Sequence, residues 1–343
     1  MTVAPPALDP RDRGGPAQPL LTVRGLAKSF VLNGGWFGRS ASRLRAVDRV
    51  SFEIRKGETL GVVGESGCGK SSTARLLMHL LTADEGEIVF DGERVGSSRL
   101  PLRAFRRQVQ MVFQDSYSSL NPRLTIEASI AFGPQVHGVP KSEAIARARN
   151  LLARVGLEPA RFAERYPHEL SGGQRQRVNI ARALALQPRL IILDEAVSAL
   201  DKSVEAQVLN LLLDLKTKLG LTYIFISHDL NVVQYMSDRV MVMYLGRAVE
   251  VGPVDEIWRA PQHPYTRALL SAMPSMDPDR RTREPPLAGD PPNPIDPPSG
   301  CRFRTRCAFA EAVCAAATPA LVDGAACLMV QPGSGHSRAR AAA

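Results

Sequence analysis

Residues 59–72 read TLGVVGESGCGKSS, an apolar run that leads directly into a glycine-rich loop. The loop matches the phosphate-binding pattern G-x-x-x-x-G-K-[ST] in its required setting, because Thr59–Val63 predicts a strand and Ser72–Leu81 predicts a helix. Glycines let backbone N–H groups turn toward phosphates, and the helix N-terminus adds a partial positive charge. The stretch therefore predicts a nucleotide site on an α/β core.

Two side chains of this loop have predicted roles. We expect Lys70 to reach the β- and γ-phosphates and the Ser71 hydroxyl to bind Mg²⁺. Cys68 is interpreted as a small neutral filler rather than a redox residue. The alternative is a glycine-rich turn without a ligand, which leaves the lysine and the serine unexplained. The predicted ATP-binding residues of the segment are Gly64, Glu65, Ser66, Gly67, Cys68, Gly69, Lys70, Ser71 and Ser72.

An acidic pair, Asp194-Glu195, follows a second apolar run, Leu190–Leu193. Carboxylates at the C-terminal end of a buried parallel strand lie where an α/β sheet binds its ligand. Asp194 is predicted to hold Mg²⁺, directly or through water, and Glu195 to polarise the attacking water. The alternative is a solvated strand end without a chemical role.

A second glycine-containing helix start lies between these segments in the sequence. Residues 171–174 read SGGQ and precede a helix predicted over Arg175–Leu186. Serine and two glycines at a helix start form a nest of backbone N–H groups that favours anions. In isolation the same residues would be an ordinary capped helix start.

Length and composition bound the remaining function classes. The chain has 343 residues, 44% hydrophobic and 22% charged, a globular composition that suits about two domains. The formal net charge of +9 indicates an anionic partner without choosing among nucleotide, nucleic acid and membrane surface. No apolar run approaches the ~18 residues of a spanning helix, so an integral membrane protein is excluded. Residues 1–20 are proline-rich and have no apolar run, so no signal peptide is predicted.

Gln114 lies between the phosphate loop and the nest in the sequence. The phosphate loop, this glutamine, the nest and the acidic pair resemble, in their order, the motifs of the ATP-binding cassette, the motor subunit of ABC transporters. The resemblance implies an α/β fold: a P-loop NTPase core with a RecA-like parallel sheet, an antiparallel β subdomain and a helical subdomain. It implies that Gln114 binds Mg²⁺ together with Ser71 and Asp194. Phe30 is implied to stack on adenine and His228 to face the γ-phosphate, the alternatives being a core aromatic and a structural histidine. The implied catalytic residues are Glu195, His228 and Gln114.

The nest resembles the signature of this family. There, a nucleotide is sandwiched between the phosphate loop of one subunit and the signature of the other. The resemblance therefore implies a second ATP-binding subunit, and we expect a related, heteromeric partner. Residues 198–201 resemble the D-loop, and Ala196 stands where proline is commoner. The residues implied to bind ATP in trans are Ser171, Gly172, Gly173 and Gln174.

Shifts in composition divide the chain. We expect a disordered leader over residues 1–19 and an ABC ATPase domain over 20–252, with its helical subdomain at about 115–185. A C-terminal region over 253–330 contains a proline-rich spacer and a group of cysteines. A disordered tail is expected over 331–343.

The cysteines follow the pattern C-x5-C-x6-C-x12-C from residue 301. Four soft ligands in a short segment of a cytosolic chain favour a metal centre over disulfides. The spacing leaves Zn²⁺, an iron–sulfur cluster and free thiols open, because it contains neither the close C-x2-C pairs of zinc sites nor the compact ferredoxin spacing.

The surrounding sequence resembles one branch of the family. Residues 263–270, the spacer and Gly300-Cys301 resemble the C-terminal region of ATP-binding subunits of dipeptide and oligopeptide importers, as do Ser119–Arg123 and Tyr166–Leu170. In that branch the cysteines bind a [4Fe–4S] cluster. The implied cluster ligands are Cys301, Cys307, Cys314 and Cys327.

The expected function is ATP hydrolysis that powers peptide import, with ATP, Mg²⁺ and the [4Fe–4S] cluster as cofactors. The implied partners are the second ABC ATPase subunit, two permease subunits and an extracytoplasmic peptide-binding protein, with no nucleic acid. The chain is expected to be peripheral, at the cytoplasmic face of the inner membrane. One alternative is an importer of nickel or another small solute from the same branch. The other, a soluble ABC ATPase acting on nucleic acid, is disfavoured by the single cassette and by the lack of a basic run interleaved with aromatics.

Overall fold

The computed structural model describes residues 11–32, 42–273 and 289–341. Contacts divide the chain into two compact units, each discontinuous in sequence. Among the described residues, the first unit contains 11–21, 53–59 and 89–227. The second unit contains 22–32, 42–52, 60–88, 228–273 and 289–341.

Strands and helices alternate from β6 to β9, apart from the consecutive helices α3 to α6, as the apolar runs and the helical periodicity predict. The strands are β1 (Leu21–Leu32), β2 (Ser42–Ile54), β3 (Thr59–Val63), β4 (Glu85–Phe90), β5 (Glu93–Arg94), β6 (Val109–Val112), β7 (Leu190–Asp194), β8 (Thr222–Ile226), β9 (Arg239–Tyr244) and β10 (Arg247–Pro253). The helices are α1 (Lys70–Leu77), α2 (Leu102–Gln108), α3 (Ile126–Val136), α4 (Lys141–Arg154), α5 (Pro159–Phe162), α6 (Gly172–Leu184), α7 (Lys202–Leu219), α8 (Leu230–Met236), α9 (Val254–Arg259), α10 (Pro264–Ser271) and α11 (Ala312–Ala316).

In the first unit, β7 pairs in parallel with β6 on one side and β8 on the other. Its register places Leu190 opposite Val109 and Thr222. Every residue of β7 and β8 is buried, as continuous apolar runs predict for strands covered on both faces. The buried strand fixes the position of Asp194 at its C-terminal end.

Four helices of the first unit, α3 to α6, follow one another between β6 and β7 in the sequence. Helix α3 begins after Thr125, whose hydroxyl accepts a hydrogen bond from the Ala128 N–H at 3.3 Å. Helix α4 buries Ala148 and Leu152 on one face and contacts α3 and α6. Throughout the residues that the structure describes, helices are too short or too polar to cross a membrane.

In the second unit, β3 pairs in parallel with β9, and β9 pairs antiparallel with β10. A bulge interrupts the second pairing between Ala248 and Glu250. Strand β1 lies between β2 and β4. The sequence does not predict β10, because Arg247 and Glu250 interrupt its apolar residues. This sheet fixes the start of the phosphate loop, which follows β3.

Of the expected disordered leader, residues 11–19 are described, and they make polar contacts within the first unit. Lys56 binds Asp12 and lies 3.1 Å from Asp91, and Arg189 lies 2.7 Å from Asp91. A proline-rich composition predicts little apolar burial, but it does not reveal ion pairs with distant residues. Residues 1–10 lie outside the described residues.

Of the expected disordered tail, residues 331–341 are described, and they contact residues earlier in the chain. His336 is buried, and its Nε2 lies 2.9 Å from the Phe309 carbonyl oxygen. The Ser337 N–H donates to Glu311 at 2.9 Å, and the Arg338 guanidinium lies 4.6 Å from the centre of the Phe309 ring. Aromatic and acidic partners earlier in the chain therefore order this segment.

Candidate functional site

Backbone crowding requires glycine at both ends of the phosphate loop, Gly64–Gly69. Gly64 has φ of 147°, and a Cβ there would lie 2.2 Å from the Met243 carbonyl oxygen. Gly69 has φ of 107°, and its Cβ would lie 2.3 Å from the Ala46 carbonyl oxygen. Glycine alone tolerates both the left-handed backbone and the close approach. Helix α1 then begins at Lys70, two residues before the predicted start at Ser72.

The loop encloses its lysine and exposes its tip. The Lys70 side chain is buried, and its Nζ donates to the Gly64 carbonyl at 2.7 Å and to the Glu65 carbonyl at 3.1 Å. Burial raises the pKa of the Cys68 thiol, which therefore stays protonated and neutral at pH 7. The exposed or half-buried residues are Glu65, Ser66, Gly67, Ser71 and Ser72.

The outer side of the loop is held by two residues that the sequence analysis does not place in the site. The Glu65 N–H donates to the Tyr265 hydroxyl at 2.9 Å. Arg306 donates to both carboxylate oxygens of Glu65, at 2.9 and 3.1 Å. Both partners come from the C-terminal region of the second unit, more than 190 residues away in sequence. No local motif identifies contacts of this range.

In the first unit, the structure brings two predicted catalytic residues together. Asp194 ends β7 and is buried, and Glu195 follows with φ of 48°. The Gln114 Nε2 donates to the Glu195 Oε2 at 2.8 Å. The Ser198 hydroxyl donates to the Glu195 carbonyl at 3.0 Å. The loop after β7 therefore holds the Glu195 backbone, while Gln114 holds its carboxylate.

The nest at the start of α6 has the geometry of a capping box. The Ser171 hydroxyl accepts from the Gln174 N–H at 3.3 Å, and the Gln174 side chain accepts from the Ser171 N–H at 2.9 Å. Gly172 and Gly173 form the first turn, where a Cβ on Gly173 would lie 2.4 Å from Val204 Cγ1. Ser171 is exposed, so the capped helix start is open to solvent.

Two further predicted residues belong to the second unit. Phe30 is half-buried in β1, with the Lys28 ammonium 5.9 Å from its ring centre. His228 is exposed two residues after β8. It precedes Asp229, whose carboxylate caps α8 by accepting from the Asn231 N–H at 3.0 Å. A capped helix therefore follows His228 directly.

The four predicted cluster ligands line one small cavity of about 20 Å³ in the second unit, together with His263 and His336. None of these cysteines is in a disulfide. We call residues 301–327, which contain them, the cysteine segment. Burial raises the pKa of Cys301 to about 11 and also raises the pKa of Cys307 and of Cys327, so these thiols are protonated unless a cation stabilises the thiolates.

The cavity does not have the geometry of a single metal ion. Among the described residues, no three His, Cys, Asp or Glu side chains lie close enough to hold one. A mononuclear tetrahedral site requires sulfur atoms at about 2.3 Å from one ion. Thiols are ligands that soft metal ions and iron–sulfur clusters accept.

The segment before the spacer is buried around His263. The His263 Nδ1 accepts from the Tyr265 N–H at 3.0 Å, which caps α10. The backbone N–H of His263 donates to the Glu250 carboxylate at 3.0 Å. Burial lowers the pKa of His263 to about 3, so the imidazole is neutral. Tyr265 is thereby fixed beside the phosphate loop.

Comparison with known proteins matches both parts of the chain to one family. Residues 47–198 match the ABC transporter family, and residues 249–314 match the oligopeptide/dipeptide transporter C-terminal region. A Sinorhizobium fredii protein named Probable peptide ABC transporter ATP-binding protein y4tS is 51% identical over 334 residues, which cover 94% of this chain and 91% of y4tS. The chain belongs to the ATP-binding proteins of ABC transporters. The Oligopeptide transport ATP-binding protein OppF of Escherichia coli is 48% identical over 324 residues, which cover 91% of this ABC ATPase and 97% of OppF.

Solved structures support the fold of this ABC ATPase. The cbiO1 protein of Clostridium perfringens, part of the ABC transporter complex cbiONQ, aligns with a TM-score of 0.60 and 29% identity over 71% of this chain and 91% of cbiO1. The ATP-binding cassette MJ0796, solved as a dimer bound to ADP and Pi, aligns with a TM-score of 0.59 and 28% identity over 68% of this chain and 98% of MJ0796. The predicted α/β class with a P-loop NTPase core is confirmed.

Proposed function

We propose that this chain is the ATP-hydrolysing subunit of an importer whose cargo is a dipeptide or oligopeptide. The observation that carries the proposal is the presence in one chain of the ABC transporter match and the oligopeptide/dipeptide C-terminal match. The relatives support the cargo class, since y4tS is named for peptide and OppF for oligopeptide transport. Nickel importers of the same branch are the competing substrate class.

Glu195 is proposed to polarise the water that attacks the γ-phosphate. Its carboxylate follows a fully buried strand and accepts a hydrogen bond from Gln114. A general base must be held within reach of the proton that it accepts. A carboxylate that follows a buried strand and accepts a hydrogen bond is held in this way. His228, exposed directly before the capped α8, is proposed to contact the γ-phosphate.

Mg²⁺ is proposed to be bound by the oxygen donors of Ser71, Gln114 and Asp194, which are the hydroxyl, amide and carboxylate types that this ion prefers. When bound, the ion neutralises charge on the β- and γ-phosphates. Lys70, whose ammonium is enclosed by the loop, is proposed to contact the same phosphates. The exposed backbone of Ser66 and Gly67 is proposed to donate N–H groups to them. Phe30 is proposed to stack on adenine.

The signature residues 171–174 are proposed to act on the nucleotide held by a second ATPase subunit. Their exposure supports this role, because a nest open to solvent can approach a phosphate on another chain. The similar cassette MJ0796 was solved as a dimer. A related but non-identical partner is our proposal for the second subunit.

The remaining partners follow from the transport function. We propose that two permease subunits bind this chain at the cytoplasmic face of the inner membrane, and that a peptide-binding protein outside delivers the cargo. ATP binding would close the pair of ATPase subunits and hydrolysis would reopen it, which switches the permease between outward and inward access. Nucleic acid has no part in this scheme.

The cysteine segment is proposed to hold a [4Fe–4S] cluster. The support is that four free thiols line one cavity and that burial disfavours uncompensated thiolates at Cys301, Cys307 and Cys327. Cluster iron would stabilise the thiolates. The residues that would hold it are Cys301, Cys307, Cys314 and Cys327.

Purification of the tagged full-length chain from membranes in mild detergent tests the proposal. We expect two permease proteins and a second ATPase subunit to co-purify, as identified by mass spectrometry. Recovery with ribosomal or other nucleic-acid-binding proteins, and without permeases, would contradict the transport function.

A further inference from the structure

The cysteine segment touches the phosphate loop within the second unit. Arg306, the residue before Cys307, donates to both carboxylate oxygens of Glu65 at 2.9 and 3.1 Å. The Arg306 side chain is 6% exposed and that of Glu65 is 22% exposed. One guanidinium nitrogen, Nη1, makes both bonds. Because the Arg306 side chain is buried, the pair is more constrained than a mobile surface ion pair.

A packed aromatic group connects the same two regions. Tyr265, whose hydroxyl accepts the Glu65 N–H, is fully buried, with ring centres 4.6 Å from Tyr244 and 5.4 Å from Phe303. Phe303 belongs to the cysteine segment and is 5.4 Å from Tyr244. These rings hold the Tyr265 hydroxyl at a fixed distance from the loop.

The charge of Glu65 gives the contact a consequence for nucleotide binding. Glu65 is the second residue of the phosphate loop, and an unpaired carboxylate there repels a triphosphate. Arg306 neutralises that carboxylate and holds it on the outer side of the loop. The Glu65 N–H is bonded to Tyr265, so this amide does not point toward the phosphates.

We propose that Arg306 and Tyr265 are positioning residues for the phosphate loop, through which the cysteine segment sets the nucleotide affinity of its own chain. Arg306 acts by neutralising Glu65, and Tyr265 acts by fixing the loop backbone. The proposal rests on the proposed nucleotide site at Gly64–Ser71. Because coupling between sites is reciprocal, nucleotide binding also stabilises the packing of the cysteine segment.

Calorimetric titration of the full-length chain with MgADP and with the non-hydrolysed analogue MgAMP-PNP tests the proposal. We expect Arg306→Ala to weaken MgAMP-PNP binding by about 5-fold or more, the lower end of typical couplings. The more highly charged analogue should lose more affinity than MgADP. Arg304→Ala is the matched control, because Arg304 lies in the same segment and donates to Ser299 instead of the loop. It should bind both nucleotides like the wild type.

Rescue separates positioning from a general loss of structure. The double variant Arg306→Ala/Glu65→Gln removes the unpaired charge and should recover much of the lost affinity. Tyr265→Phe keeps the buried ring and should weaken binding of both nucleotides. Its control is Tyr223→Phe, which also removes a buried, bonded hydroxyl, 3.0 Å from the Leu212 carbonyl in the first unit. This control should lose thermal stability and keep its nucleotide affinity.

The outcomes are distinct. Wild-type affinity in both Arg306→Ala and Tyr265→Phe, at unchanged thermal stability, overturns the inference and leaves the nucleotide site intact. Equal losses in Arg306→Ala and Arg304→Ala, with no recovery in the double variant, also overturn it. A wild-type chain that binds neither nucleotide refutes the proposed nucleotide site itself.

Discussion

The phosphate loop and the cysteine segment lie in the same unit but are held in different ways. The loop is fixed by its own backbone. Gly64 and Gly69 lie close to backbone carbonyl groups, and the Lys70 ammonium donates a hydrogen bond to the Gly64 carbonyl. The cysteine segment has one short helix, α11, and depends on scattered contacts such as the Cys301 N–H to the Cys314 carbonyl at 2.8 Å. If the proposed cluster is present, a segment with so little regular structure would gain much of its stability from it. Substitutions in the ATPase motifs should therefore change activity without unfolding, whereas substitutions of the four cysteines should change metal content and stability.

The largest effect is expected at Glu195. Glu195→Gln should lower steady-state ATP hydrolysis by about 10²–10⁴-fold and leave nucleotide binding intact, because the amide keeps the shape but is a poor base. ATPase assays on the assembled transporter measure the effect. Glu164→Gln, at an exposed site of the same unit, should hydrolyse ATP like the wild type. Near-wild-type turnover in Glu195→Gln would remove Glu195 from the catalytic role.

The cysteine segment should lose its iron when one ligand is lost. Anaerobically purified protein should be brown and contain about four iron atoms, as a [4Fe–4S] centre requires. Cys301→Ser and Cys314→Ser should each lose the colour and lower the thermal stability. Cys68→Ser changes a buried cysteine outside the cavity and should keep the iron. Stoichiometric zinc without iron or sulfide in the wild type would refute the cluster and leave the importer function standing.

A smaller and directional effect is expected at the signature. Ser171→Arg should spare nucleotide binding at this chain's own phosphate loop and lower hydrolysis at the partner's loop by about 10-fold or more, because the arginine fills the nest that receives the γ-phosphate. Site-resolved nucleotide trapping in the assembled complex distinguishes the two sites. A loss confined to this chain's own loop would contradict the trans arrangement.

The last effect is on stability alone and concerns pH and the segment that holds Tyr265. Burial lowers the pKa of His263 to about 3, so the folded imidazole stays neutral while the unfolded one binds a proton below about pH 6.5. The free energy of unfolding should therefore fall as the pH falls from about 6.5 toward 3, by up to about 1.4 kcal/mol per pH unit from this group. Denaturation at several pH values should give a shallower slope for His263→Asn than for the wild type. Equal slopes would show that His263 does not titrate on unfolding.

Local pattern made most of the ATPase core predictable. The strands β3, β7 and β8 and the loop at Gly64–Gly69 follow from continuous apolar runs and from glycine spacing within one short segment. The contact between Gln114 and Glu195 is also predictable. Each residue follows a strand, and the parallel neighbours β6 and β7 end on the same side of the sheet. Distance in sequence is no obstacle where strand pairing supplies the register.

The parts of the structure that the sequence does not predict depend on single long-range contacts, and the residues that make them follow no periodic pattern or fixed spacing. Arg306 and Glu65 are 241 residues apart, and neither residue type is unusual in its segment. The ordering of residues 11–19 by Lys56 and Asp91 is hidden for the same reason. The sequence does not predict strand β10 because two charged residues and a bulge interrupt the alternation of apolar and polar residues along it. The cysteine spacing predicted soft ligands but could not choose the group they hold, because several groups accept four thiolates.

Peptide-dependent ATP hydrolysis by the reconstituted complex tests the central claim most directly. The chain would be assembled with its permeases and second ATPase subunit in proteoliposomes, and hydrolysis measured with the binding protein either empty or loaded with peptide. The account predicts that peptide-loaded binding protein stimulates hydrolysis and that the Glu195→Gln complex shows no stimulation. Stimulation by nickel or another small solute, with no response to any dipeptide or oligopeptide, would contradict it.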